Sequence, residues 1–251
     1  MGGQFYYYGP GEDKSKHFDE IGNRFEFIAT TGWHIVPDLF AGIDIAESGF
    51  GFSDTGLFSI QPFVSYKKYL NFGTNSDTGI NARVFLYPFM GMLKYEGNIY
   101  THIGITKKLT LAVNSGGGYS GLYKPWAQAL DSIPQKALFD LYYVEDRSIR
   151  SGYSLDELMA PHYLFGSMEL RFNFVTFNIA HTVDCIIQGY IFSDVGRIYD
   201  LTGTSKKEFV DAYGGGVRVL FDNPVFAYFT FAYGLNHEGN GRFSFCATAG
   251  F

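Results

Sequence analysis

The sequence predicts an all-β chain, an antiparallel β-barrel that crosses a membrane with its strands. Three observations carry that prediction. The last ten residues alternate, with Phe243, Phe245, Ala247, Ala249 and Phe251 on one face and Arg242, Ser244, Cys246, Thr248 and Gly250 on the other. Chain ends usually fray in water, so an aromatic last residue inside a strand pattern points to lipid as the solvent. Aromatic residues make up 19% of the 251 residues, with 26 Phe and 19 Tyr, against only 18% charged. That load suits the aromatic girdles of a membrane barrel. Finally, no apolar run approaches the roughly 18 residues a spanning helix needs. Backbone polar groups in lipid must be paired internally, so strands that span must close on themselves.

About twelve strand-like segments follow one another, separated by turn chemistry. A stub from Gln4 to Tyr8 leads into a polar loop, Gly9 to Lys16. Arg24 to Val36 carries Phe25, Phe27, Ala29, Thr31, Trp33 and Ile35 on one face. After the turn Pro37-Asp38, Leu39 to Ala46 carries Leu39, Ala41, Ile43 and Ile45. Leu57 to Tyr69 is less regular, because Pro62 has no N–H to give a ladder. Ile80 to Tyr87 sets Ile80, Ala82, Val84 and Leu86 against Asn81 and Arg83. Leu93 to Ile103 and Leu109 to Tyr119 complete the first half.

The stretch from Gly121 to His162 breaks this rhythm. It is too long for a hairpin loop, and connections of that length are usually functional or disordered. Strands then resume. Leu164 to Phe174 sets Leu164, Gly166, Met168, Leu170, Phe172 and Phe174 against Phe165, Ser167, Glu169, Arg171 and Asn173. Cys185 to Val195, Tyr213 to Phe221, Val225 to Leu235 and Arg242 to Phe251 finish the chain. The whole, residues 1–251, reads as one barrel domain without a periplasmic domain.

A soluble β-sandwich or a lipocalin-like barrel also alternates, but with its polar face outside. Here the charges at strand centres, Glu169, Arg171 and Arg218, share a face opposite Phe, Leu and Val. Charges inside and an apolar band outside is the polarity of a membrane barrel. A net charge of −6 argues against nucleic acid as a partner.

Other motifs indicate no catalytic residue, cofactor or metal. Cys185 and Cys246 lie on separate strands without a CxxC or a Cys/His cluster, so both read as free thiols. The six His are scattered and read as surface or rim residues. Gly116-Gly117-Gly118 lacks the Lys-Ser/Thr of a phosphate loop and reads as a kink in the wall. Lys67-Lys68 and Lys107-Lys108 read as interfacial anchors at strand ends, and Trp33 as part of an aromatic belt. The opening residues Met1 to Phe5 lack the basic and apolar regions of a signal peptide, which points to a mature or truncated start.

Glu169 and Asp194 fall on the polar faces of neighbouring strands. Two carboxylates in one lumen are either a catalytic pair or, more often, ions held by a basic partner, and Arg150 in the long loop is a candidate partner, with a planar fork that fits them. The segment Ile149-Arg150-Ser151-Gly152-Tyr153 resembles the Val-Arg-Gly-Phe/Tyr motif of the BamA/TamA-type outer-membrane assembly superfamily, in its bacterial surface antigen group. Ser151 is inserted relative to that motif. Ser167 to Phe172 is similar to the group's acidic strand, and Tyr190-Ile191-Phe192-Ser193-Asp194-Val195-Gly196 to its Phe-x-Asp-x-Gly strand. The final strand, with Phe243, Phe245 and Phe251, is similar to the insertion signal of bacterial outer-membrane barrels.

The resemblance is good over residues 145–251 and weaker before them. It implies an outer-membrane location and a sixteen-stranded barrel of which this chain supplies the C-terminal part. It implies a loop over 121–162 folded into the lumen, with Arg150, Gly152 and Tyr153 at its tip and Arg150 against Glu169 and Asp194. The implied role is structural rather than catalytic, in a barrel that inserts or translocates client β-barrel or secreted proteins and otherwise contacts only lipid. Two other classes stay open, a passive pore and an outer-membrane lipid hydrolase.

Overall fold

A computed structural model of the chain describes residues 2–8, 23–50, 57–71, 73–87, 92–122, 162–179, 183–199, 205–222 and 226–250. Twelve strands appear in chain order: β1 (Gly2–Tyr8), β2 (Asn23–Val36), β3 (Leu39–Phe50), β4 (Leu57–Tyr69), β5 (Asp77–Tyr87), β6 (Met92–Gly104), β7 (Leu109–Leu122), β8 (His162–Ile179), β9 (Val183–Tyr199), β10 (Ser205–Asp222), β11 (Phe226–Leu235) and β12 (Gly241–Gly250). Each strand pairs antiparallel with its neighbours in sequence. The short β1 pairs with both β2 and β12, and this closes the circuit. The strands of this chain thus close at twelve, whereas the resemblance implies sixteen. The physical reason is that both edges of β1 are occupied, from Gly2↔Gly250 to Tyr8↔Ser244 on one side and from Gly2↔Ile28 to Tyr7↔Asn23 on the other.

Period-2 alternation decides which side chains face the lumen. Trp33, Ile43, Ile45, Val64, Ile80, Ile99, Met168, Phe172, Ile191, Val217, Phe231 and Phe243 all project from the outer wall and are exposed. Asp44, Gln61, Lys94, Ser167, Glu169, Gln188, Asp194 and Arg242 project inward and are buried. Exposing that much apolar surface to water is unfavourable by about 25 cal/mol per Å², whereas lipid tails accept it. No helix among the described residues is long and apolar enough to cross a membrane; strands do the crossing here.

The two ends of the barrel differ. One end carries the links 37–38, 70–76, 105–108, 180–182 and 223–225, and the other carries the two longest, 9–22 and 123–161. Outer-membrane barrels face their short turns to the periplasm. At the short end, Gly73 and Asn75 adopt positive φ angles of 67° and 55°. At the long end, the hairpin between β11 and β12 turns through Gly239 at φ 84°, and the Asn236 side-chain oxygen accepts from Asn240 N at 2.9 Å. Strands β8, β9 and β10 are longer than the alternation suggests, at 18, 17 and 18 residues. A tilted strand needs only about 9–11 residues to cross a bilayer, so these three extend beyond it.

Pro62 sits on the outer face of β4 opposite Ile43. Toward β5 the ladder is interrupted between Ile60↔Leu86 and Phe63↔Arg83, the interval that contains Pro62. A missing N–H at that position accounts for the gap.

Candidate functional site

The lumen is divided into two regions. Toward the loop ends of their strands, inward side chains are packed: Tyr87, Tyr163, Asp194, Ile198, Val210 and Asn236 are all buried. Toward the short-turn end a cavity of about 460 Å³ opens, lined among others by Tyr100, His102, Asn114, Glu169, Arg171 and Arg218. The described cavity thus lies toward the short-turn end.

Glu169 sits at the centre of the hollow region. Alternation aims it inward with Arg171, two residues along β8, and Arg171 Nε donates to Glu169 Oε2 at 2.5 Å. Arg218 approaches from β10, with Nη2 3.7 Å from Glu169 Oε1. Its Nη1 donates to Gln188 Oε1 at 3.3 Å and its Nε to Thr230 Oγ1 at 3.2 Å. The guanidinium also lies over the Tyr190 ring, 4.8 Å from the centroid. Two guanidinium groups on the wall therefore share one carboxylate.

Glycines make the space for this layer. A Cβ on Gly216 would lie 2.6 Å from Tyr190 Cζ and closer still to the Phe231 carbonyl oxygen. A Cβ on Gly79 would collide with the Tyr100 ring. The absence of side chains at these inward positions lets the two tyrosines lie against the neighbouring strand. Gly118 likewise faces the Tyr163 ring, with which a Cβ would collide, so part of the Gly116-Gly117-Gly118 run accommodates an aromatic ring.

Asp194 is placed on β9 opposite Ser167, whose hydroxyl donates to Asp194 Oδ1 at 2.6 Å. The wall thus brings Glu169 and Asp194 onto adjacent strands as the alternation predicts. Arg150, Gly152 and Tyr153 lie outside the described residues, as does Phe251. Phe243 and Phe245 are on β12, facing outward beside Phe231, whose ring centroid is 6.4 Å from Phe243 and 4.8 Å from Phe245.

One sequence reading is corrected and another gains a partner. Lys67, half exposed near the end of β4, pairs with Asp77 across the β4–β5 ladder at 2.9 Å. His102 is not a rim residue: it faces the lumen and shares Asp77, with Nδ1 2.7 Å from Oδ1. Lys107 and Lys108, by contrast, are exposed in the short turn between β6 and β7. The sequence reading also missed a second ionic cluster. Arg83 Nη2 lies 2.8 Å from Asp44 Oδ2, Arg83 Nη1 donates to Gln61 at 3.2 Å, and Lys94 pairs with Glu96. Its signal was opposite charges at inward positions of strands that turn out to be near neighbours. Cys185 and Cys246 form no disulfide. No cluster of metal-ligating residues occurs among the described residues.

The chain matches no family model and no curated protein. Its fold matches solved outer-membrane barrels. BamA from Haemophilus ducreyi lacking POTRA domains 1-3 aligns with a TM-score of 0.50 and 12% identity, over 90% of this chain and 54% of that one. The chain therefore spans about half the length of that structure. A NanC porin aligns with a TM-score of 0.46 and 10% identity, over 100% of this chain and 98% of that chain. The COG4313 outer membrane channel from Pseudomonas putida F1 gives 0.46 and 10%, over 99% and 93%. The fold is that of a bacterial outer-membrane β-barrel, in keeping with the apolar outer wall.

Proposed function

We propose that this barrel acts at the outer membrane on polypeptide arriving from the periplasmic side, assisting the insertion or translocation of client proteins. The observation that carries this reading is the seam. β1 has 7 residues, whereas every other strand has 10 to 18, and it alone joins β12 to β2. A short ladder is held by few hydrogen bonds, and a released edge offers unpaired N–H and C=O groups to an incoming strand. The hollow short-turn end is consistent with approach from that side. The sequence resemblance to the bacterial surface antigen group supports the same reading.

Tyr6 pairs with Cys246 across the seam, so a Tyr6→Cys substitution allows a disulfide between β1 and β12. Facing residues of an antiparallel pair have Cα atoms about 4.5–5.5 Å apart, within disulfide range. In vesicles, the reduced protein should speed the folding of a client barrel and the oxidised protein should not. Equal acceleration by both would refute the proposal.

In this reading Arg150 holds the long loop against Glu169 and Asp194. Arg150→Ala should then lower the heat stability of the barrel and expose the loop to protease; wild-type behaviour in both would remove that role. A second reading, passage of small solutes, is favoured by the polar lining of the lumen. Steady single-channel conductance without clients would support it.

A further inference from the structure

Among the described residues, the layer around Glu169 presents two guanidinium groups and one carboxylate beside the cavity. Glu169 faces two guanidinium groups, those of Arg171 and Arg218. Nearer the short turns, Asp77 is shared by Lys67 and His102. Asp194 lies fully buried behind Ser167.

Arg171 lines the cavity with part of its guanidinium unengaged. Only its Nε is engaged, with Glu169; among the described residues Nη1 and Nη2 make no hydrogen bond. Its side chain is 23% exposed, so the two free nitrogens are reachable from the cavity. Two N–H groups in one plane match the two oxygens of a carboxylate or phosphate. Arg218, by contrast, is held by Gln188, Thr230 and the Tyr190 ring, and it serves to keep Glu169 in place.

The opposite side of the cavity suits hydroxyl groups. Ala112 separates His102 from Glu169 along one register line, and its small side chain leaves room between β6 and β8. The Asp77 carboxylate accepts from His102 Nδ1, so in the neutral form of the ring Nε2 is left as an acceptor. Asn114 and the Tyr100 ring complete this side of the lining.

We propose that this cavity is a binding site for a small hydroxylated oxyanion, with Arg171 as the anion ligand and His102 as a hydroxyl acceptor. A volume of about 460 Å³ is that of a small-molecule site. The site is independent of the client reading, because it can be filled with no client present.

The test is calorimetric titration of the full chain, folded in detergent, with gluconate, inorganic phosphate and the neutral polyol sorbitol. Gluconate should bind saturably and sorbitol should not. Phosphate binding as tightly as gluconate would assign the site to the oxyanion alone and overturn the hydroxyl role of His102. Arg171→Gln should weaken gluconate at least tenfold. Should that variant not fold, Ser244→Phe provides the second arm. It narrows the cavity from β12, leaves the Glu169 ion pairs in place and should also weaken gluconate at least tenfold. No saturable anion binding by the wild type, or wild-type affinity in whichever variant folds, would overturn the site.

Discussion

Replacing Glu169 with Gln removes the charge that two arginines share and keeps the side-chain shape. Its carboxylate lies 2.5 Å from Arg171 Nε and 3.7 Å from Arg218 Nη2. At an effective dielectric of about 20, unit charges roughly 4 Å apart attract by about 4 kcal/mol. Desolvation of the three groups offsets part of that. Removing one member of a buried pair costs about 3–5 kcal/mol in measured cases. Here the side chains of Arg171 and Arg218 are 23% and 17% exposed, so the lumen solvates them in part once Glu169 is neutral. That lowers the expected loss to about 2–3 kcal/mol. The assay is urea unfolding of the barrel in lipid vesicles, followed by tryptophan fluorescence. The Glu169→Gln midpoint should fall accordingly, and Glu169→Gln with Arg171→Gln should lose less than the sum of the two single losses. A single variant within about 0.5 kcal/mol of wild type, or strict additivity in the double variant, would refute the reasoning.

Three further outcomes follow from the wall. Ile191→Arg places a charge on the outer face of β9, where Ile191 is 63% exposed, and should destabilise the membrane-folded barrel by about 2–4 kcal/mol if it sits near the bilayer midplane; unfolding in vesicles measures this, and no loss would remove Ile191 from the lipid face. Gly216→Ala sets a Cβ against Tyr190 and the Phe231 carbonyl, and should cost about 1–3 kcal/mol in the same assay; a pairing of Gly216→Ala with Tyr190→Ala should recover part of that loss. Arg83→Gln leaves the buried Asp44 carboxylate without its cation and should lower the unfolding midpoint by more than Lys108→Gln, which changes an exposed turn.

The number of strands, their order along the chain and the face each residue takes were legible in the sequence. Alternation is a local property, fixed by the pleat, so Leu164 to Phe174 shows its inward and outward sets without knowledge of its neighbours. The pairing of Glu169 with Arg171 is of the same kind, because residues two apart on one strand share a face. Polar satisfaction across strands is different. Whether Lys67 reaches Asp77, whether His102 joins it, and whether Arg218 comes to Glu169 depend on register and on the stagger of a closed sheet. A one-residue slip at any ladder would separate these groups while leaving each strand's own pattern intact. Closure at twelve strands was likewise decided by tertiary structure, since nothing in the pattern of β1 states that both its edges are paired. The sequence by itself determined strands with an apolar outer face and set Arg171 beside Glu169; only the closed sheet brought Arg218 to the same carboxylate and left a cavity beside them, because that contact joins residues far apart in the chain.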